Sequence, residues 1–100
     1  MLQKTEFIWF DGKLVPWDQA QVHVLAHGLH YGTGVFEGIR AYACPDGSSA
    51  VFRLPEHSKR LVNSAKILGI DMPYTADEIS KAIVETVVAN KLSEGYIRPL

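Results

Sequence analysis

The spacing of apolar residues changes character part-way along the chain. Before residue 54 they come in short β-prone runs or alternate with polar ones; from Pro55 onward they recur every three or four residues. The first spacing belongs to half-buried strands and the second to amphipathic helices. Phe7-Ile8-Trp9-Phe10 and Lys13-Leu14-Val15 are two β-prone runs joined by Asp11-Gly12. That pair predicts a type I′ hairpin, because both turn residues need positive φ. Pro16 then ends the second strand or confines it to an edge. Gln21–Leu25 reads either as a further extended piece or as the entry to a helical turn.

A strand is expected over Val35–Ala43, with Phe36, Gly38, Arg40 and Tyr42 on one face and Val35, Glu37, Ile39 and Ala41 on the other. Pro45-Asp46-Gly47 turns it back into Ala50-Val51-Phe52-Arg53. Pro55 suits the first turn of a helix, with Glu56 well placed for its dipole. Leu61, Val62, Ala65 and Leu68 form its apolar stripe, and Gly69 its C-terminal cap. Thr75-Ala76-Asp77-Glu78 is a capping box, and Tyr74 with Ile79 a hydrophobic staple. Ile79, Ala82, Ile83, Thr86 and Val87 face the core of this second helix, which ends near Asn90-Lys91. Gly95-Tyr96-Ile97-Arg98 begins another strand, with Tyr96 and Arg98 on one face. Strands that cluster before helices predict an α+β fold: an antiparallel sheet with two helices packed on one side, residues 1–100 forming a single domain.

Composition narrows the function classes. Hydrophobic residues make up 47% and charged residues 21%, and the formal net charge is −1, which suits an ordinary globular chain. Ten basic and eleven acidic residues are spread without blocks, so neither nucleic acid nor a membrane surface is an expected partner. The single cysteine, Cys44, has no internal partner, and the Met1–Glu6 start lacks a signal peptide's long apolar run. A cytoplasmic location is therefore expected.

The candidate chemistry gathers in His27–Arg40, which holds two of the four histidines and four of the eight glycines. The face carrying Phe36, Gly38 and Arg40 is odd for a core. It sets an arginine beside a phenylalanine and leaves a gap at Gly38, as a ligand-receiving face would; a simple bulge or bend at the glycine is the plainer alternative. Gly32, Gly34 and Gly38 are spaced one residue too long for a dinucleotide fingerprint, and they open a strand rather than a helix. His23, His27 and His30 would align on a helix as metal ligands. However, Gly28 and Gly32 disfavour a helix there, and no carboxylate or thiol lies in the cluster. Histidines hydrogen-bonded within a compact turn are expected, and no metal.

Four motifs in order carry a family resemblance: Ile8-Trp9-Phe10-Asp11-Gly12, the run from His30 to Arg40, the Phe52-Arg53…Glu56-His57…Arg60-Leu61…Ser64-Ala65-Lys66 helix, and Tyr96-Ile97-Arg98-Pro99-Leu100. Together they resemble the N-terminal domain of branched-chain amino-acid aminotransferases, fold-type IV enzymes that use pyridoxal 5′-phosphate (PLP). D-amino-acid aminotransferases and aminodeoxychorismate lyases share that fold. The resemblance implies transfer of the amino group of leucine, isoleucine or valine to 2-oxoglutarate, and an assembly of at least two subunits. It implies that Arg60 grips the cofactor phosphate, a task suited to a guanidinium's rigid fork. Read on the helix alone, Arg60 would simply pair with Glu56 one turn earlier. Phe36, Gly38 and Arg40 match residues lining the substrate pocket, Tyr96 one contacting the substrate carboxylate, and Arg98 one recruited by acidic substrates. Tyr31 matches a residue that reaches into the partner subunit's pocket. The family's Schiff-base lysine falls beyond these 100 residues, and Lys4, Lys13, Lys59, Lys66, Lys81 and Lys91 read as solvated charges. The isolated chain is accordingly expected to be inactive. A non-catalytic binding or dimerisation module is the alternative.

Overall fold

The Asp11-Gly12 turn forms as its residues require. Asp11 has φ 51° and Gly12 φ 95°, the two positive values of a type I′ turn. It joins strand β1 (Phe7–Phe10) to β2 (Lys13–Pro16), with Phe7 opposite Pro16 and Phe10 opposite Lys13. Pro16 closes the ladder and leads into a single 3₁₀ turn at Trp17–Gln19. This computed structural model describes residues 4–100; the reading of the chain start as free of a signal segment lies partly outside them, at positions 1–3.

A one-turn helix, α1 (His27–Tyr31), follows where the glycines argue against any helix. Gly32 ends it in the left-handed conformation, φ 67°, its N–H bonded back to Gly28. A single turn needs few helical residues, so the cost of Gly28 is small, and Gly32 serves as a cap. Strand β3 then spans Ile39–Ala43, four residues shorter than the alternation suggests. Positions 35–38 keep the alternating burial, with Glu37 and Ile39 buried and Phe36 and Gly38 exposed. Ladder pairing there is reduced to one bond, Glu37 N–H to the Pro99 carbonyl at 3.0 Å. Asp46 Oδ1 accepts from the Ser48 backbone N–H and hydroxyl, shaping the turn to β4 (Ser49–Val51).

Helix α2 (Leu54–Leu68) begins at the Pro55 signal and ends on Gly69, φ 72°, with Ile70 N–H reaching back to Ala65 at 2.8 Å. Leu61 and Ala65 are buried, but Leu68, expected in the same apolar stripe, is exposed. Leu68 sits in the last turn, directly before the Gly69 cap. Helix α3 (Ala76–Ala89) carries the predicted capping box: Glu78 N–H donates to Thr75 Oγ1 at 3.2 Å and Thr75 N–H to Glu78 Oε1 at 3.0 Å. The Thr75 backbone N–H first, and the Thr75 hydroxyl after it, hold the Glu78 carboxyl below its usual range.

Strand β5 (Gly95–Ile97) pairs antiparallel with β3, giving the order β4-β3-β5. The fold is α+β as expected, though its strands divide into two antiparallel sheets, the β1–β2 hairpin and this three-stranded one. Ile39 from β3, Leu61 from α2, and Ile79 and Ile83 from α3 form the buried core, with Val51 and Ile97 packed against it. Both helices therefore cover the same face of the sheet. The hairpin is tied to the far end of α3 by Asn90, whose side chain accepts from Phe7 N–H at 2.8 Å and donates to Phe7 O at 3.0 Å. Trp9 also meets Tyr74 edge-on at 5.3 Å.

Candidate functional site

Because α2 and α3 occupy one face of the β4-β3-β5 sheet, side chains that alternate to the other face stay open. Arg40 and Tyr96 are direct partners across β3 and β5, and both are exposed. Continuing that register brings Gly38 opposite Arg98. A methyl group on Gly38 would collide with the Tyr96 hydroxyl and stand 3.2 Å from the ring carbon that carries it. Glycine is needed here for close approach, not for backbone freedom. Arg98 donates from Nη2 to the Tyr96 hydroxyl at 2.8 Å, and its guanidinium lies 4.3 Å from the centre of the Phe36 ring. Phe36, Gly38, Tyr96 and Arg98 thus form one cluster. Arg40 sits beside it over Tyr42, at 5.9 Å, and Tyr42 meets Phe52 edge-on. Aromatic walls with two guanidinium groups make a surface able to take a ligand with an apolar part and a carboxylate.

Behind that face lies a charged group that the chain order conceals. Glu37, flanked by Phe36 and Gly38, points inward and is 5% exposed. Its carboxylate accepts two parallel bonds from Arg60 on α2: Nε to Oε2 and Nη2 to Oε1, both 2.8 Å. His57, one turn earlier, donates from Nδ1 to Oε1 at 2.7 Å. Burial disfavours the charged carboxylate, but the Arg60 bonds outweigh it, with His57 adding to them, and hold Glu37 below the usual range. Glu37 in turn raises Arg60's already high pKa. Arg60 does not pair with Glu56, which lies 3.6 Å from Arg53 instead. A buried carboxylate must find partners, whereas an exposed one gains little from an i, i+4 cation. The Arg60 side chain stays two-thirds exposed, and among the described residues its Nη1 has no partner. A guanidinium anchored along one edge with its remaining donors free fits a phosphate.

Tyr31 is not part of this cluster. It stands at the end of α1, 73% exposed, with its ring against those of His27 and His30. The three histidines of that segment turn to separate partners: Nδ1 of His23 accepts from Leu25 N–H, His27 pairs with the Thr33 hydroxyl, and His30 donates to the Val24 carbonyl. Lys4, Lys13, Lys59, Lys66, Lys81 and Lys91 are all exposed. Glu37 and His57 escape the sequence reading, although a lone carboxylate among Val35, Ile39 and Ala41 is the available sign.

The comparisons with known proteins agree on one family. The family described as amino-transferase class IV matches residues 34–100. A branched-chain-amino-acid aminotransferase of Pseudomonas aeruginosa is 50% identical over 100 residues, covering all of this chain and 32% of the relative. The crystal structure of the T.th. branched-chain amino acid aminotransferase with pyridoxamine 5′-phosphate superposes with a TM-score of 0.91 at 48% identity, over 95% of this chain and 31% of that one. The branched-chain aminotransferase of Thermoproteus uzoniensis with norvaline gives 0.89 at 54% identity, over 94% and 32%. The chain spans about a third of the length of the relatives it matches. With a family match running from Gly34 to Leu100 and the open β3–β5 face and the Glu37–Arg60 pair inside it, the chain belongs to the class IV aminotransferases.

Proposed function

We propose that this chain is the N-terminal, substrate-side domain of a PLP-dependent branched-chain amino-acid aminotransferase. The whole protein moves the amino group of leucine, isoleucine or valine to 2-oxoglutarate. The observation that carries the reading is the gathering of Phe36, Tyr96 and Arg98 around Gly38 on the single open face of the sheet. Relatives named as branched-chain aminotransferases, about half identical across the chain, support it.

PLP supplies an electrophilic ring system that delocalises charge from the substrate's α-carbon. This chain's share of the work is binding and orientation. Arg60 contributes one phosphate contact through the donors that Glu37 leaves free. Phe36 and the gap at Gly38 hold an aliphatic side chain, Tyr96 the substrate carboxylate, and Arg98 the second carboxylate of an acidic substrate. Arg40 flanks this pocket. The Schiff-base lysine comes from sequence outside these residues, since all six lysines here are solvated and such an amine needs a lowered pKa in a buried site. The protein works in the cytoplasm as a homo-oligomer, with Tyr31 entering the pocket of a second subunit.

The test is turnover by the whole protein with 2-oxoglutarate as acceptor, followed by mass spectrometry of glutamate and the new 2-oxo acid. L-leucine, L-isoleucine and L-valine should each yield one glutamate per 2-oxo acid formed. Turnover of D-alanine with none of L-leucine would transfer the assignment to the D-amino-acid branch of the family.

A second reading, an association module, has its own support. Val22, Val24, Leu25, Leu29 and Tyr31 are all more than 60% exposed within one short segment. Scattered exposed apolar residues are ordinary, but a contiguous group marks an interaction surface. Here it is compatible with catalysis, because Tyr31 belongs to the same segment.

A further inference from the structure

Glu37 has no part in the substrate face or the phosphate contact, yet its buried carboxylate makes three side-chain hydrogen bonds. We infer that Glu37 is a positioning residue. It fixes the Arg60 guanidinium edge-on, so that the outer donors face an anion, and it ties that clamp to the strand segment carrying Phe36 and Gly38. The inference rests on the assignment of Arg60 as a phosphate ligand.

The geometry separates scaffold from tool. Glu37's side chain is 4% exposed and Arg60's is 67% exposed, so the carboxylate is the fixed partner and the guanidinium the presented one. Nε and one Nη2 hydrogen are used on Glu37. A guanidinium has five N–H donors, so three stay available along its outer edge. His57 occupies a further lone pair of Oε1 and locks the carboxylate's own rotamer. The backbone of Glu37 is held as well, through its N–H to Pro99 O, next to Arg98. One residue thereby links the phosphate clamp on α2 to both strands of the substrate face. Its neighbours Phe36 and Gly38 turn outward because the chain alternates there.

Two effects oppose each other. A carboxylate near a phosphate repels it, so loss of Glu37 would tighten binding if charge dominated. Loss of Glu37 also releases Arg60 onto a solvated stem with many rotamers. The pairing and orientation win here because the guanidinium is already assembled on a buried anchor, and a ligand need not order it.

Whole-protein variants test this by equilibrium titration with PLP and, separately, with pyridoxal, which lacks the phosphate. Glu37→Gln keeps the shape but cannot accept both Arg60 bonds; its PLP Kd should rise about 10-fold, the lower range for losing a group that orients a binding residue. Pyridoxal affinity should not change. Glu37→Asp keeps the charge but falls short by one methylene, and it should show the same phosphate-specific loss, also if Glu37→Gln fails to fold. Arg60→Lys should weaken PLP binding, and adding Glu37→Gln to it should cost little more. Unchanged or tighter PLP binding in either Glu37 variant would overturn the inference. So would an equal loss for pyridoxal, or losses that add in the double variant. Parental PLP affinity in Arg60→Lys would instead remove the assignment of Arg60 itself.

Discussion

Gly38 and Tyr96 occupy one another's space. Gly38→Ala would push the Tyr96 hydroxyl aside; because that ring is half exposed, it can swing away with little cost to folding. Stability should fall by less than ~1 kcal/mol. The bond from Arg98 to Tyr96 is lost with the movement, and a hydrogen bond is worth ~0.5–1.5 kcal/mol, so substrate affinity should drop roughly 3- to 10-fold. Thermal melting and substrate titration of the same preparation separate the two effects. Glu37 gives a pH dependence. Its folded pKa lies below the ordinary 4.5, so its contribution is present in full above that value and is lost as pH falls through the lower, folded pKa. The melting temperature of the protein should therefore fall more steeply below about pH 4.5 than that of Glu37→Gln; parallel acid profiles would show that the carboxylate is not held ionised. The outward set Phe36, Gly38 and Arg40 is readable from the chain, because a period of two needs only local spacing. The Arg60 partner is not. Glu37 is distant in sequence, and a helix read by itself offers only Glu56.

Elements with local signals are legible to the residue. The Asp11-Gly12 hairpin, the Pro55 start, the Gly69 cap and the Thr75 box all depend on neighbours within four positions. Thr75→Ala should cost ~1 kcal/mol, seen as a lower denaturant midpoint with an unchanged slope. What cannot be read are ends decided by tertiary contact. β3 starts at Ile39 because only there does β5 supply a full ladder, and Leu68 stays exposed although Ala65 in the same last turn of α2 is buried. Asn90 is a further tertiary decision. It pairs with both backbone groups of Phe7 across most of the chain. Asn90→Ala would leave Phe7 N–H without its side-chain acceptor, at ~1–3 kcal/mol, while Phe7 O keeps the Thr5 hydroxyl at 3.2 Å. Amide exchange should then rise first in Phe7–Phe10, ahead of α3; uniform acceleration would mean that the hairpin is not a separately held unit.

At the scale of the molecule, one face of the sheet is committed to the helices and the other is free. Phe36, Tyr96 and Arg98 converge there from segments far apart in sequence, and the α1 segment extends an apolar group away from the core. If that group packs on a second subunit, Leu29→Asp in the whole protein should lower its mass in sedimentation, with activity falling in parallel. If the free face selects the substrate, the two half-reactions of the Arg98→Ala whole protein, followed by stopped-flow absorbance, should separate. A carboxylate needs a charged partner and an isobutyl group does not. The half-reaction with 2-oxoglutarate should slow at least about 10-fold, as loss of a charge-assisted bond of ~1.5–3 kcal/mol requires, while that with leucine stays near the parental rate. Equal loss in both halves, or loss in neither, would mean that Arg98 on the free face does not select the substrate.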